Sequence, residues 1–376
     1  MSNRWARWVR HVVSWLAAWG LAVATAISAG AQTPVGAQFQ INTYTTRDQE
    51  EPSVTIAANG AFVVVWQSQG SSGTDDDDSI QGQRYAAGGS PQGGEFQINT
   101  FTRSIQESPS VAMDADADFI VVWGTAESDE PALGYWSIQG QRYASNGSTQ
   151  GAQFQVNTYP EWRQYSPSVA MAADGDFVVV WHSYGSSGTD TNGLSVQGQR
   201  YASNGSTQGG QFQVNTYTTS YQFRPSVAAA PDGDFVVVWL SGSSEPFASL
   251  QGQRYASNGS TLGGEFQVNT YTSNNLYFTS VGMAGNGDFV VAWMSDGSLG
   301  TDSSDWSIQA RRFASDGTVL GSQFQVNTYT SGMQCEPSVA MASDGGFVVV
   351  WYGDTSATDP EHGAIQGQRY ASDGSV

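Results

Sequence analysis

The chain has 376 residues, of which 39% are hydrophobic and 13% are charged, and its formal net charge is -20. All 14 basic residues are arginine, so the charge balance argues against nucleic acid or an anionic membrane as a partner. The charged fraction is also too small for a disordered acidic chain. A folded domain with locally concentrated acidic loops is therefore expected.

Residues 1–31 have the composition of a secretory signal peptide. Arg4, Arg7 and Arg10 form a positive segment, residues 11–29 are apolar, and Ala29 to Ala31 form a small-x-small cleavage site. We predict secretion, to the periplasm, the medium or the cell surface, with residues 32–376 as the mature domain and no membrane contact after cleavage. An uncleaved anchor is the alternative, because the apolar stretch is nearly long enough to span a bilayer.

One sequence unit recurs six times after the signal. The string Phe-Gln-(Ile/Val)-Asn-Thr recurs at spacings of 57, 58, 58, 54 and 58 residues, starting at Phe39, Phe96, Phe154, Phe212, Phe266 and Phe324. Three other strings recur in every unit, with Pro-Ser-Val, Phe-Val-Val-Val-Trp and Gln-Gly-Gln-Arg-Tyr as their commonest forms. A period of about 58 residues with four β-like segments indicates a repeat architecture.

The apolar segment Phe177–Trp181 shows which architecture this is. Asp-Gly and Asn-Gly pairs between segments predict type I′ hairpins, and therefore antiparallel sheets. Because the segment is apolar on both faces, each sheet must be covered on both sides, which favours an all-β, six-bladed β-propeller with four antiparallel strands per blade. A solenoid or a sandwich fits this period less well. We also predict that Phe39–Tyr44 pairs beside Gln366–Tyr370 and closes the last blade.

The loops after each Trp and before each Pro-Ser-Val differ from unit to unit, and they carry most of the acidic residues. Loops on a rigid scaffold are the usual place for binding. The aromatic residues among them are our candidate ligand-binding residues: Trp136, Trp162, Tyr165, Tyr184, Tyr221, Phe223, Tyr277 and Trp306. They predict an extracellular glycan or protein as the partner, and we expect the domain to be a monomer.

No cofactor is required by the sequence, although Ca²⁺ is a candidate ligand. Carboxylates suit this hard cation, and two acidic runs supply them: Asp75, Asp76, Asp77 and Asp78, and separately Asp114, Asp116 and Asp118. The first run lacks the alternating spacing of a coordinating loop, so a solvated acidic loop is the simpler explanation. The second has that spacing but no following glycine.

Catalytic signatures are sparse. The mature histidines are His182 and His362, and no Ser-His-Asp spacing is recognisable. The arginine of each Gln-Gly-Gln-Arg-Tyr could serve sugar sites between blades, but the simpler prediction is that it donates hydrogen bonds to carbonyls of the next blade. Cys335 is the only cysteine, which excludes an intrachain disulfide.

The strings FQVNTYT, PSVAMAADGDFVVVW and IQGQRYASNG resemble tandem repeats of large bacterial secreted or surface proteins, often found beside RTX (hemolysin-type) or cadherin-like modules. The resemblance covers Phe39 to Val376 and implies adhesion or matrix binding. The chain lacks the glycine-rich nonapeptides of RTX calcium modules. The leading hypothesis is a non-catalytic binding or adhesion propeller. The alternatives are a polysaccharide-active hydrolase or lyase with a central carboxylate site, and a purely structural module.

Overall fold

The computed structural model describes residues 37–70, 78–102, 104–126, 136–158, 163–191, 193–242, 249–270, 275–297, 300–302, 306–354 and 363–376. All the regular structure in these ranges is β-strand. Within the same ranges, no helix has the length and hydropathy needed to cross a bilayer. The signal segment lies outside them.

Each repeat forms one sheet, which we number as blades 1 to 6 in chain order. The strands are β1 (Gln49–Ile56), β2 (Phe62–Gln69), β3 (Asp78–Tyr85) and β4 (Phe96–Gln97) in blade 1; β5 (Gln106–Met113), β6 (Phe119–Ala126), β7 (Trp136–Tyr143) and β8 (Phe154–Gln155) in blade 2; β9 (Gln164–Met171), β10 (Phe177–Tyr184), β11 (Leu194–Tyr201) and β12 (Phe212–Gln213) in blade 3; β13 (Tyr221–Ala229), β14 (Phe235–Gly242), β15 (Ser249–Tyr255) and β16 (Phe266–Gln267) in blade 4; β17 (Leu276–Met283), β18 (Phe289–Asp296), β19 (Trp306–Phe313) and β20 (Phe324–Gln325) in blade 5; and β21 (Gln334–Met341), β22 (Phe347–Gly353) and β23 (Ala364–Tyr370) in blade 6.

The predicted six-bladed antiparallel propeller is confirmed. Strands within each blade pair in chain order and antiparallel, and the first strand of each blade packs against the first strand of the next from blade 1 to blade 6. The first strand is therefore innermost, and the Phe-Gln strand is outermost. This order places the loops before the first strand and after the second on one rim, which we call the upper rim.

The tight turns differ from the predicted type I′ hairpins. In blade 3, Gly175 N donates to Ala172 O (3.1 Å) and Ala172 N donates to Asp176 O (2.8 Å), which encloses three loop residues. Only Gly175 in this loop has a positive φ, of 87°. This pattern is a type I turn followed by a left-handed glycine, so the Asp-Gly pair needs one left-handed residue rather than two.

The apolar second strands form the core between blades. Trp123, Trp181, Trp239 and Trp293 are fully buried. Five buried clusters each join two consecutive blades, from blades 1 and 2 to blades 5 and 6. Burial on both faces explains why these strands lack polar alternation.

Two kinds of hydrogen bond repeat across these five interfaces. Arg84 Nη1 in blade 1 donates to Ser145 O in blade 2 (2.6 Å), and the equivalent pairs are Arg142 with Ser203, Arg200 with Ser257, Arg254 with Ser315, and Arg312 with Ser372. On the inner strands, Ser53 Oγ accepts from Val111 N (3.3 Å), with the same bond in the next four interfaces. The prediction that the recurring arginine fastens neighbouring blades is confirmed at these positions.

The closing strand differs from the prediction. Blade 6 has three strands, and residues 37–44 form no strand. The segment lies instead against blade 1, where Tyr85 Oη donates to Ile41 O (3.1 Å) and the Phe39 and Tyr85 rings are 5.5 Å apart. The outer strand of blade 1 makes the same contact with blade 2, where the Phe96 and Tyr143 rings are 5.6 Å apart. The segment therefore lies against blade 1 as the predicted closing strand would.

Candidate functional site

A β-bulge interrupts the innermost strand of every blade near the upper rim. The register against the second strand shifts at the same place in all six sheets. At each bulge one residue has a φ between 45° and 55°, and we call these six residues the bulge ring: Glu51, Ser108, Ser166, Arg224, Phe278 and Glu336. A non-glycine residue with positive φ is uncommon, and bulges often re-aim side chains next to functional sites.

The bulge ring has the chemistry of a site rather than of a scaffold. Its backbone geometry is the same in all six blades, yet its side chains include two carboxylates, one guanidinium, one phenyl ring and two hydroxyls. All six residues are half-buried. Strained backbone clusters at functional sites, and here one strained geometry presents a different side chain in most blades, so the ring is a candidate site.

Arg224 and Phe278 join two neighbouring bulges. The Arg224 guanidinium carbon lies 4.5 Å from the centroid of the Phe278 ring, which is a cation–π contact. Thr279 Oγ1 also donates to Arg224 O (3.1 Å), so the two bulges are bonded through the backbone as well. These contacts hold a planar cation against an aromatic face in the inner wall of blades 4 and 5.

A row of aromatic rings continues from Arg224 towards blade 2. The Trp136 and Tyr165 rings are 5.2 Å apart, and the Tyr165 and His182 rings are 5.6 Å apart. His182 Nδ1 accepts a hydrogen bond from Arg224 N (3.4 Å). We call Trp136, Tyr165, His182, Arg224 and Phe278 the rim row, which crosses blades 2 to 5.

The rim row is electrostatically distinct from its surroundings. Burial lowers the pKa of His182 from 6.5 to about 3, and the nearby Arg224 cation acts in the same direction. The imidazole is therefore neutral at physiological pH and accepts through Nδ1. Burial raises the pKa of Tyr165, opposed by Arg163 and reinforced by Glu107, so charges of both signs lie close to this phenol.

The other predicted aromatics are more scattered. Tyr277 and Trp306 form a separate pair on blade 5, with ring centroids 5.1 Å apart. Tyr184 and Tyr221 are exposed on the surface. Phe223 packs in the buried cluster shared with Leu240 and Leu276, which leaves little of it for a ligand. Trp162 lies outside the described residues.

The two acidic runs are described only in part. Asp75, Asp76 and Asp77 lie outside the described residues, and Asp78 Oδ2 accepts from Gln67 Nε2 (3.3 Å). In the parts of the chain that the structure describes, no group of three or more His, Cys, Asp or Glu residues is arranged to hold a metal ion. The predicted Ca²⁺ site therefore stays a prediction.

The second run serves the turn of blade 2. Asp114 Oδ1 accepts from the backbone N–H groups of Asp116 and Asp118 (both 2.9 Å), and Asp118 accepts from Ser145 N (2.8 Å) and Gln150 Nε2 (2.7 Å). Burial raises the pKa of Asp114, while those backbone donors oppose the rise. The alternating spacing thus reflects hydrogen bonds that fasten two turns of one blade.

Sequence reasoning identified the rim loops but missed the bulge ring and His182. The available signal was the residue before each Pro-Ser-Val, which varies between Glu, Ser, Arg and Phe while the residues after it hardly change. That variation can be seen in the sequence, but a β-bulge does not change the hydrophobic periodicity, so the bulge itself could not be predicted. His182 was expected in a loop and was discounted for lack of a Ser-His-Asp spacing, but it lies within β10.

Comparison with known proteins gives the fold. No protein family matches the chain, and no curated protein does. Among solved structures, a protein of unknown function from Dyadobacter fermentans is similar, with 13% identity, a TM-score of 0.59, and coverage of 85% of this chain and 94% of that one.

Two enzymes are also similar in fold. An α-L-arabinofuranosidase from Fusarium graminearum, solved with an iminosugar inhibitor, has 11% identity, a TM-score of 0.56, and coverage of 87% of this chain and 94% of that one. A microbial sialidase designated Hadza Hz136 has 11% identity, a TM-score of 0.50, and coverage of 85% and 65%. At these identities the likeness establishes the propeller and nothing finer.

Proposed function

We propose that this protein is an extracellular, carbohydrate-recognising propeller whose ligand binds on the upper rim, across the rim row. The observation that carries the proposal is the rim row, in which the half-buried Tyr165, Arg224 and Phe278 follow one another over blades 3 to 5. Trp136 and His182 are as buried as Phe223, so they support the row rather than contact a ligand. Carbohydrate sites combine apolar ring surfaces with a few placed polar groups. The fold likeness to glycan-active propellers supports the same class of ligand, and residues 1–31 would direct the chain out of the cytoplasm.

A non-catalytic role is the simplest form of this proposal. His182 is neutral and buried, so it is a poor general acid or base at neutral pH. Its hydrogen bond to Arg224 N and its ring contact with Tyr165 suit a positioning role. The row would then fix the orientation of a sugar without breaking a bond in it.

The binding test is a glycan array followed by titration of the best ligand. Arg224→Gln keeps a polar side chain but removes the cation and its stacking on Phe278, and we expect at least a tenfold weaker affinity, or about 1.4 kcal/mol. Tyr217→Ala is the matched control, because Tyr217 is an exposed aromatic outside the rim row. Equal losses in both variants, or no binding to any glycan, would contradict the proposal and leave a purely structural module.

Glycoside hydrolysis is the second candidate. Glu51 and Glu336 stand in the bulge ring, and Glu107 lies close enough to Tyr165 to affect its pKa. Hydrolysis of glycosidic bonds uses a pair of carboxyl groups, and the enzymes named above use the same fold. Release of product from arabinan or other α-linked polysaccharides, abolished by Glu51→Gln or Glu336→Gln, would favour this candidate over simple binding.

A further inference from the structure

The arginines that follow residue 31 divide into two groups. Seven stand in the third strands of the blades, where contacts such as Arg84 to Ser145 O and Arg311 to Val268 O join neighbouring blades. The other four stand in the sequence at or just before the first strands of blades 1 to 4: Arg47, Arg103, Arg163 and Arg224. Arg103 lies outside the described residues. The described members of this second group lie on the upper rim, away from the contacts that fasten the scaffold.

Two guanidinium groups act on the Tyr165–His182 pair of the rim row. Burial raises the pKa of Tyr165, and the charge of Arg163 and a hydrogen bond with its side chain oppose this rise. Burial lowers the pKa of His182, and the Arg224 cation lowers it further. Among the described residues, Glu107 is the carboxylate that acts on the pair, through Tyr165. Two cations and one carboxylate thus meet at this pair, in a chain whose net charge is -20.

Three contacts hold Arg224 in place. His182 Nδ1 accepts from its backbone N, Thr279 Oγ1 donates to its backbone O, and its guanidinium carbon lies 4.5 Å from the centroid of the Phe278 ring. A planar guanidinium presents its N–H groups as a fork that matches the two oxygens of a carboxylate. Because the side chain is already ordered on the ring, less conformational entropy is lost when a ligand binds to it.

The charges of the bulge ring are arranged asymmetrically. Arg224 on blade 4 is the single cation of the ring, whereas Glu51 and Glu336 stand on blades 1 and 6. In a ring of six blades, blade 4 lies opposite blade 1. A ligand with one negative charge is therefore attracted towards Arg224 and repelled from the far side of the ring, which fixes its direction across the rim.

We propose that the ligand of the rim row is an acidic glycan, in which a sugar carboxylate binds the Arg224 guanidinium and the sugar ring lies against Tyr165 and Phe278. This inference rests on the proposed carbohydrate function and narrows it to one class of sugar. Arg163 adds positive charge beside Tyr165. The net negative charge of the chain opposes binding only weakly, because charges further away than about 8 Å are largely screened at physiological ionic strength.

The test extends the glycan array with matched pairs. Each pair consists of an oligosaccharide of galacturonic, glucuronic or sialic acid and its methyl ester, which has the same sugar without the charge. We expect the protein to bind the acid of at least one pair about tenfold or more tightly than its ester. Equal binding of acid and ester, or binding to neutral glycans alone, would overturn this inference and leave the proposed function intact. No binding to any glycan would contradict the proposed function and this inference with it.

Variants locate the preference at Arg224. The quantity measured by titration is the ratio of the two dissociation constants, ester over acid, which a general loss of affinity does not change. Arg224→Gln is expected to reduce this ratio about tenfold, and Arg224→Lys to reduce it less, because lysine keeps the charge but not the planar fork. Arg47→Gln is the matched control, since it removes the charge of an exposed arginine of the same rim, outside the rim row. An unchanged ratio in Arg224→Gln, or an equal fall in Arg47→Gln, would overturn the inference.

Arg163→Gln supplies an independent variant. We expect the ratio to fall less than in Arg224→Gln, because Arg163 adds charge to the site and does not hold the carboxylate. Thermal unfolding of each variant establishes that it is folded. A ratio that depends on Arg163 and not on Arg224 would overturn the placement of the carboxylate.

Discussion

His182 allows a quantitative prediction of how stability depends on pH. Its pKa falls from 6.5 to about 3 on folding, so between these values the unfolded chain binds a proton that the folded chain does not. Stability then decreases as the pH is lowered through 6.5 and is lost in full only below about 3. At pH 5 the expected loss from this residue is about 2 kcal/mol relative to pH 7.

The variant His182→Gln isolates this contribution. Glutamine does not titrate, it can accept the hydrogen bond from Arg224 N, and Gln67 occupies the equivalent position of blade 1. Carboxylates elsewhere also titrate, but they do so in both proteins. Subtracting the variant from the wild type therefore leaves the histidine term.

The measurement is urea unfolding of both proteins at pH 7 and pH 5, monitored by tryptophan fluorescence. We expect the wild type to lose about 2 kcal/mol more than His182→Gln over this range. Equal losses in the two proteins would refute the reasoning, because they would mean that His182 gains its proton as readily when folded as when unfolded. The rim row would then contain an ordinary, accessible imidazole.

Other predictions concern single residues that depart from the repeat. Trp293 Nε1 is buried without a hydrogen-bond partner, because Leu276 stands where the other five blades have a glutamine that accepts from the tryptophan. Leu276→Gln should therefore raise the free energy of unfolding by about 1 kcal/mol, and Gln222→Leu should lower it; opposite signs would contradict this account. Ala117 has a φ of 66° where blade 3 has Gly175, so Ala117→Gly should stabilise by up to about 1 kcal/mol and Gly175→Ala should destabilise, as measured by thermal unfolding. If the predicted Ca²⁺ site exists, EDTA should lower the melting temperature of the protein. An unchanged melting temperature would contradict the prediction of a Ca²⁺ site.

Most of the architecture could be predicted from the sequence repeat. Four strings in each of six units predicted six antiparallel sheets, and the unbroken apolar run of Phe177–Trp181 predicted that both faces of each sheet are covered. The role of the recurring arginine also followed, because a cation repeated at one position in every unit is more useful to the scaffold than to one ligand. These features depend on neighbouring residues or on the repeat period, and both can be recognised from the sequence alone.

The site was harder to predict for a physical reason. The bulge ring depends on a shift in strand pairing, and pairing involves residues far apart in the chain. Trp136 and Tyr165 were both chosen as exposed loop aromatics, but their contact arises only because blade 2 is pressed against blade 3. The acidic spacing of Asp114, Asp116 and Asp118 coincides with hydrogen bonds from backbone donors, which a sequence does not show.

The sequence by itself determined the number of blades, their antiparallel strands and the rim that varies, since these follow from periodicity and from turn residues. Only the tertiary structure decided where residues 37–44 lie, which side chains meet on the rim, and that His182 is held neutral. Each of these depends on the packing of one blade against the next. A repeated unit specifies that the blades pack together, but the side chains that meet between two blades come from different units, and the period does not identify them.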